Sequence, residues 1–136
     1  MNSLYLLLGS NLGDSENQLA IARKYIAKSI GPVIRKSKLY QTAAWGKTDQ
    51  PDFLNQVIVV NSKLDAFECL EKIMMIEQDM GRKRTIKNAP RIIDIDILFF
   101  NKDIIQSANL IIPHPEIQNR RFVLTPLNEL APGFVH

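Results

Sequence analysis

The run Ile92-Ile93-Asp94-Ile95-Asp96-Ile97-Leu98-Phe99-Phe100 constrains the fold of this chain more than any other segment. Its β-branched and aromatic residues are those of a buried strand, yet two acids interrupt it two residues apart. Strand side chains alternate between faces, so Asp94 and Asp96 stand side by side, and Ile93, Ile95, Ile97 and Phe99 form an apolar opposite face. The strand therefore belongs to a sheet with one face packed on a core and the other left open. Adjacent carboxylates raise the cost of ionising one another unless something positive compensates. A hard divalent cation is the simplest compensator, and magnesium favours one or two carboxylates with waters and phosphate oxygens. Arg91, just before the strand, offers a phosphate a planar fork of donors. The competing reading is an edge strand whose inward charges deter sheet-to-sheet association. The bases Arg82, Lys83, Arg84, Lys87 and Arg91, crowded directly before the acids, favour the metal and phosphate.

At 136 residues the chain has the size of one domain and can bury a core. Its net charge of +3 is concentrated in 82–91 and at Arg120-Arg121, which suits an anionic small molecule better than a nucleic-acid duplex. The single cysteine, Cys69, lies in an apolar helical stretch and is expected to be a packed thiol. Met1 leads straight into a strand pattern without a basic, then apolar, leader, and no apolar run is long enough for a bilayer. A cytoplasmic protein is expected.

Residues 3–8 read as a buried strand closed by Gly9-Ser10-Asn11-Leu12-Gly13. Ser15 with Gln18 predicts a capped helix that places Leu19, Ala22, Tyr25, Ile26 and Ile30 near one face and stops at Gly31-Pro32. A strand is expected over 33–42, a loop over 43–52, and a strand over 53–63. Asp65 and Glu68 cap a second helix through Met80, ending at Gly81. On it Glu77 lies on the apolar side, near Ile73, Met74 and Met80, where an acid orients a neighbour rather than acting chemically. The basic loop, the acid-bearing strand, a short strand over 110–112 and a helical turn after Arg120 complete the chain. The order β-α-β-β-α-β predicts an α+β fold, a ferredoxin-like antiparallel sheet with two helices on one face, in a single domain.

Several motifs together resemble the 6-hydroxymethyl-7,8-dihydropterin pyrophosphokinase family of folate biosynthesis. They are Gly9-Ser10-Asn11-Leu12-Gly13, Asp49-Gln50-Pro51-Asp52-Phe53-Leu54-Asn55, Gly81-Arg82-Lys83-Arg84 and the run from Lys87 to Leu98. Pro113-His114-Pro115, Arg120-Arg121-Phe122-Val123-Leu124 and Pro126-Leu127 follow in family order. The resemblance implies pyrophosphoryl transfer from ATP to the hydroxymethyl oxygen of the reduced pterin, releasing AMP. It implies one pyrophosphokinase domain over 1–136, lacking the extreme C-terminal segment of longer members, in a monomer with neither nucleic-acid nor membrane partners.

By the same resemblance Asp94 and Asp96 hold two Mg²⁺ ions, and Arg82 and Arg91 stabilise the transferred group electrostatically. Phe53 and Phe122 form the walls between which the pterin stacks, Asn55 hydrogen-bonds it, and Thr42, Ala43, Ala44 and Trp45 complete its recognition. Arg84, Lys87, Arg91, Ile97, Ile111, His114 and Arg120 match nucleotide-binding positions. The glycine-bearing turn at 9–13 lacks the lysine and spacing of a phosphate loop and is expected to shape the pterin pocket. Asn88 stands where many members carry a tryptophan, in a slightly shorter basic loop, so closure of that loop would use other contacts. Pro115 replaces a tyrosine of some members. Two other functions share these features. A ligand-sensing or nucleic-acid module on the same scaffold would need aromatics on the central strands, where this chain has Val57 to Val60. A metal-dependent phosphohydrolase would leave Phe53, Phe122 and Asn55 idle.

Overall fold

The computed structural model describes residues 1–11, 13–42, 52–81 and 92–115. In chain order the elements are β1 (Asn2–Ser10), α1 (Ser15–Ser29), β2 (Val33–Lys36), β3 (Tyr40–Thr42), β4 (Phe53–Ser62), α2 (Ala66–Asp79), β5 (Asp94–Phe100), β6 (Ile105–Gln106) and β7 (Ile111–Ile112). The main sheet runs β2-β4-β1-β5, with β3 also on β4, and every pairing is antiparallel. With β2 and β3 as two halves of one interrupted strand, this is the split βαβ arrangement expected from the element order. The small β6-β7 ribbon was not anticipated beyond a short strand at 110–112.

Helices form where the apolar spacing and caps allow them. In α1 Leu19, Ala22 and Ile26 recur at three- and four-residue intervals and are buried. Tyr25, expected on that face, is more than a third exposed. Asp14 caps this helix instead of Ser15, accepting the Asn17 N–H at 3.2 Å. Two adjacent cap-forming side chains compete there, and the aspartate takes the role. α2 begins with a full capping box: Asp65 accepts from Glu68 N at 2.8 Å and Glu68 accepts from Asp65 N at 3.1 Å. Replacing Asp65 by alanine strands the Glu68 amide donor and should cost about 1 kcal/mol in a urea unfolding experiment.

Both helices cover one face of the sheet, α1 against β1 and β4 and α2 against β5. The core between them is built by Leu4, Leu6 and Leu8, Ile58 and Val60, Ile95, Ile97 and Phe100, with Ile26, Cys69, Ile73 and Ile76 from the helices. Burial pushes the Cys69 thiol up, consistent with a packed side chain. Phe99 was expected in this layer. A bulge at Leu98 shifts the register, so that Leu6 pairs with Ile97 but Tyr5 pairs with Phe99. Phe100 therefore turns to the core, and Phe99 stacks edge-on against Tyr5 on the opposite face, ring centroids 6.0 Å apart. No helix among the described residues is long and apolar enough to cross a membrane.

Candidate active site

The face of the sheet away from the helices carries Asp94, Asp96 and Asn55 beside Leu7 and Val57. Asp94 is opposite Gly9 on β1, Gly9 is opposite Asn55 on β4, and Asn55 is opposite Tyr40 on β3. Residues opposite one another on antiparallel strands project to the same face, so these four form one row across the sheet. Asp96, opposite Leu7, and Phe53, opposite Thr42, share that face through the two-residue period of their strands. The paired acids expected from the sequence are therefore together on the face away from the helices, both partly exposed.

Gly9 gives this row a gap. A Cβ at that position would lie 3.0 Å from the Asn55 Oδ1 and 3.7 Å from a ring carbon of Phe53. Without it, Asn55 and Phe53 approach the β1 backbone closely. The Asn55 side chain is buried and held: its Nδ2 donates to Thr42 Oγ1 at 2.8 Å and to the Tyr40 carbonyl at 3.4 Å. Those donations leave Oδ1 as the atom turned toward Gly9. Thr42 thus enters through its hydroxyl, which orients Asn55.

The interrupted strand beside Asn55 is braced from the helix side. Gln56 Nε2 donates to the Ser37 carbonyl at 2.7 Å, Gln56 Oε1 accepts from Arg23 at 2.7 Å, and Ser37 Oγ accepts from Val57 N at 3.0 Å. This splits the strand expected over 33–42 into β2 and β3 and leaves the second piece beside Asn55. Nothing in the local pattern of 33–42 signals the break, because the partners lie on α1 and β4.

At the other end, the bulge that displaces Phe99 also recruits His114. Its backbone N–H donates to the Leu98 carbonyl at 3.0 Å, and its Nε2 lies 3.9 Å from Asp96 Oδ1. His114 is thereby placed beside the acid pair. Ile111, half exposed on β7, belongs to the same segment. Ile97 points the other way, its side chain in the helix-side core, so only its backbone can face a ligand on this side. Arg82, Arg84, Lys87, Arg91, Ala43, Ala44, Trp45, Arg120 and Phe122 lie outside the described residues.

Among the described residues no three His, Cys, Asp or Glu side chains gather as a complete protein cage for a metal. Two carboxylates on one strand face form half a coordination sphere of hard oxygens. That donor set fits magnesium bound together with a phosphate-bearing ligand and water, and is poorly suited to a dedicated all-protein site.

Comparison with known proteins agrees in extent and in kind. Residues 5–132 match the family described as 7,8-dihydro-6-hydroxymethylpterin-pyrophosphokinase. The 2-amino-4-hydroxy-6-hydroxymethyldihydropteridine pyrophosphokinase of Bacillus subtilis is 40% identical over 131 residues, covering 96% of this chain and 78% of that protein. A protein of the same name from Methylorubrum extorquens is 40% identical over 136 residues, covering 99% of this chain and 86% of the relative. Among solved structures, a Plasmodium falciparum HPPK-DHPS crystallised with pteroate superposes with a TM-score of 0.78 over 99% of this chain. This chain spans 40% of that longer one, at 20% identity, a likeness that shows a shared fold.

Proposed function

The chain belongs to the 7,8-dihydro-6-hydroxymethylpterin-pyrophosphokinase family, and on that premise we propose that the acid-bearing face of the sheet transfers pyrophosphate from ATP to 6-hydroxymethyl-7,8-dihydropterin, releasing AMP. The observation that carries the reading is the row Asp94, Gly9, Asn55. Two strand spacings, about 10 Å, separate the acid strand from the asparagine strand. A flat bicyclic ring lying over Gly9, with one edge at Asn55 Oδ1 and a face toward Phe53, would extend its hydroxymethyl arm toward Asp94 and Asp96.

In this proposal Asp94 and Asp96 would hold two Mg²⁺ ions together with ATP. Bound magnesium would neutralise phosphate charge and make the attacking hydroxyl more acidic. The acid pair fixes where the triphosphate sits, while Asn55, Thr42 and Phe53 fix the acceptor, so that donor and acceptor meet in line. The pterin oxygen bonds to the β-phosphorus, the bond from that phosphorus to the bridging oxygen breaks, and the electron pair leaves with AMP. The hydroxyl proton passes to solvent.

Arg82 and Arg91 are assigned the charge that develops on the transferred group. Arg84, Lys87, Ile111, His114, Arg120 and the backbone at Ile97 are assigned to the nucleotide. Ala43, Ala44, Trp45 and Phe122 are assigned to the pterin, with Phe122 as the second stacking wall. A cytoplasmic monomer acting on these two small molecules completes the proposal.

Asn55→Leu removes the acceptor proposed to meet the pterin and releases Thr42. It should weaken pterin binding about tenfold, the equivalent of one hydrogen bond, as read by titration with the reduced pterin. The reaction itself is tested by supplying ATP, magnesium and the reduced hydroxymethylpterin. One AMP per pterin diphosphate, and none with EDTA, is the expected result. ADP or free phosphate as the nucleotide-derived product would contradict it and favour a phosphohydrolase.

A further inference from the structure

Glu77 is buried in the last turn of α2, on the apolar side with Ile73 and Ile76. Burying a carboxylate is costly unless it is hydrogen-bonded, and an apolar side chain would pack there more cheaply. Its Oε2 accepts the backbone N–H of Ile95 at 2.9 Å. Ile95 is the one residue between Asp94 and Asp96. Among the described residues β5 is the last strand of the sheet, and its outer edge meets no other strand there. Glu77 supplies a partner at the centre of the acid pair.

The same two elements are neighbours at the chain's entrance to β5. Gly81, with φ near +90°, follows the C-cap of α2, and a Cβ there would lie at ordinary contact distance, 3.5 Å, from the Ile92 Cδ1. The end of α2 therefore lies beside Ile92 and is hydrogen-bonded to β5 at Ile95. A rotation of the backbone at Ile95 would swing both neighbouring side chains, because they flank it on one face. A hydrogen bond to a charged acceptor is about twice as strong as a neutral one and resists that rotation.

We infer that Glu77 is a positioning residue for the nucleotide site: by holding the Ile95 amide it sets the spacing and aim of Asp94 and Asp96 toward metal-bound triphosphate. The inference rests on the role proposed for the acid pair. It places Glu77 behind the ligands, as outer-shell partners orient metal-binding groups elsewhere.

The test compares Glu77→Leu and Glu77→Gln with the wild type in calorimetric titrations of a non-hydrolysable ATP analogue, with magnesium and with EDTA. Glu77→Leu should weaken magnesium-dependent analogue binding by about 10- to 100-fold. It should raise KM for ATP, leave KM for the pterin unchanged and speed hydrogen exchange at the Ile95 amide. Glu77→Gln, whose amide oxygen still accepts, should recover most of the affinity. A folded Glu77→Leu with wild-type affinity overturns the positioning role, as does a Glu77→Gln no better than Glu77→Leu. Should Glu77→Leu not fold, faster Ile95 exchange in Glu77→Gln without loss of affinity overturns it. Wild-type binding indifferent to magnesium would instead refute the acid-pair reading itself, and this inference with it.

Discussion

Replacing Asp96 by alanine is expected to lower turnover by about a thousandfold or more, equivalent to about 4 kcal/mol of transition-state stabilisation. The same change should leave the melting temperature close to that of the wild type. The two expectations separate because of where the side chain sits. Asp96 is about a third exposed, and its His114 neighbour, at 3.9 Å, is itself partly exposed. Substitution of a partly exposed side chain of this kind shifts stability little. The strand retains its core contacts through Ile95 and Ile97 on the other face. Turnover, by contrast, loses one of the two groups proposed to hold the metal-bound triphosphate. Kinetics with saturating ATP, read beside a thermal melt, check both halves. Near-normal turnover would contradict the metal role, and a collapsed melt would mean that Asp96 is structural.

The largest expected effect on stability comes from Gly31→Ala. A Cβ there would lie 1.8 Å from the Asn61 carbonyl oxygen and 2.9 Å from its carbon. Both are backbone atoms of β4, so no side chain can rotate away. The contact is locked by its neighbours: Asn61 N donates to the Pro32 carbonyl at 3.2 Å, and Ser62 Oγ donates to the Ile30 carbonyl at 2.7 Å. Relieving the clash means moving the end of α1 off β4 and breaking these bonds. A cost of about 3 kcal/mol follows, at the upper end of ordinary overpacking. For a domain of this size it should lower the melting temperature by about 10 °C. A melt within about 2 °C of the wild type would show that the helix end shifts freely.

Gly31 also illustrates what a sequence displays and what it hides. Beside Pro32 it reads as a helix stop, and the helix does end there, at Ser29. Yet its φ is not among the positive ones, and the glycine is required by the approach of β4, thirty residues away in sequence. Period-two and helical patterns are local, which is why the acid pair, the capping box at Asp65 and the element order were all readable. The Leu98 bulge is set by pairing with β1, so the exchange of Phe99 for Phe100 in the core has no local signal. Helical spacing placed Glu77 on the apolar side, but its partner Ile95 belongs to a strand beyond the basic segment. Gly9 was visible as part of a turn. That it admits Asn55 and Phe53 close to the β1 backbone emerges only when β1 is laid between β4 and β5. The pterin-facing roles of Asn55 and Phe53 came from family resemblance, and the register now supplies a geometric reason for considering them together.

The central claim is that Asp94 and Asp96 gather divalent cations around a nucleotide triphosphate. Anomalous diffraction from crystals grown with Mn²⁺ and a non-hydrolysable ATP analogue tests it most directly. The account predicts two manganese peaks, each bonded to a carboxylate oxygen of Asp94 or Asp96 and to phosphate oxygens. A triphosphate bound elsewhere, or bound here with no anomalous peak at either carboxylate, would contradict it.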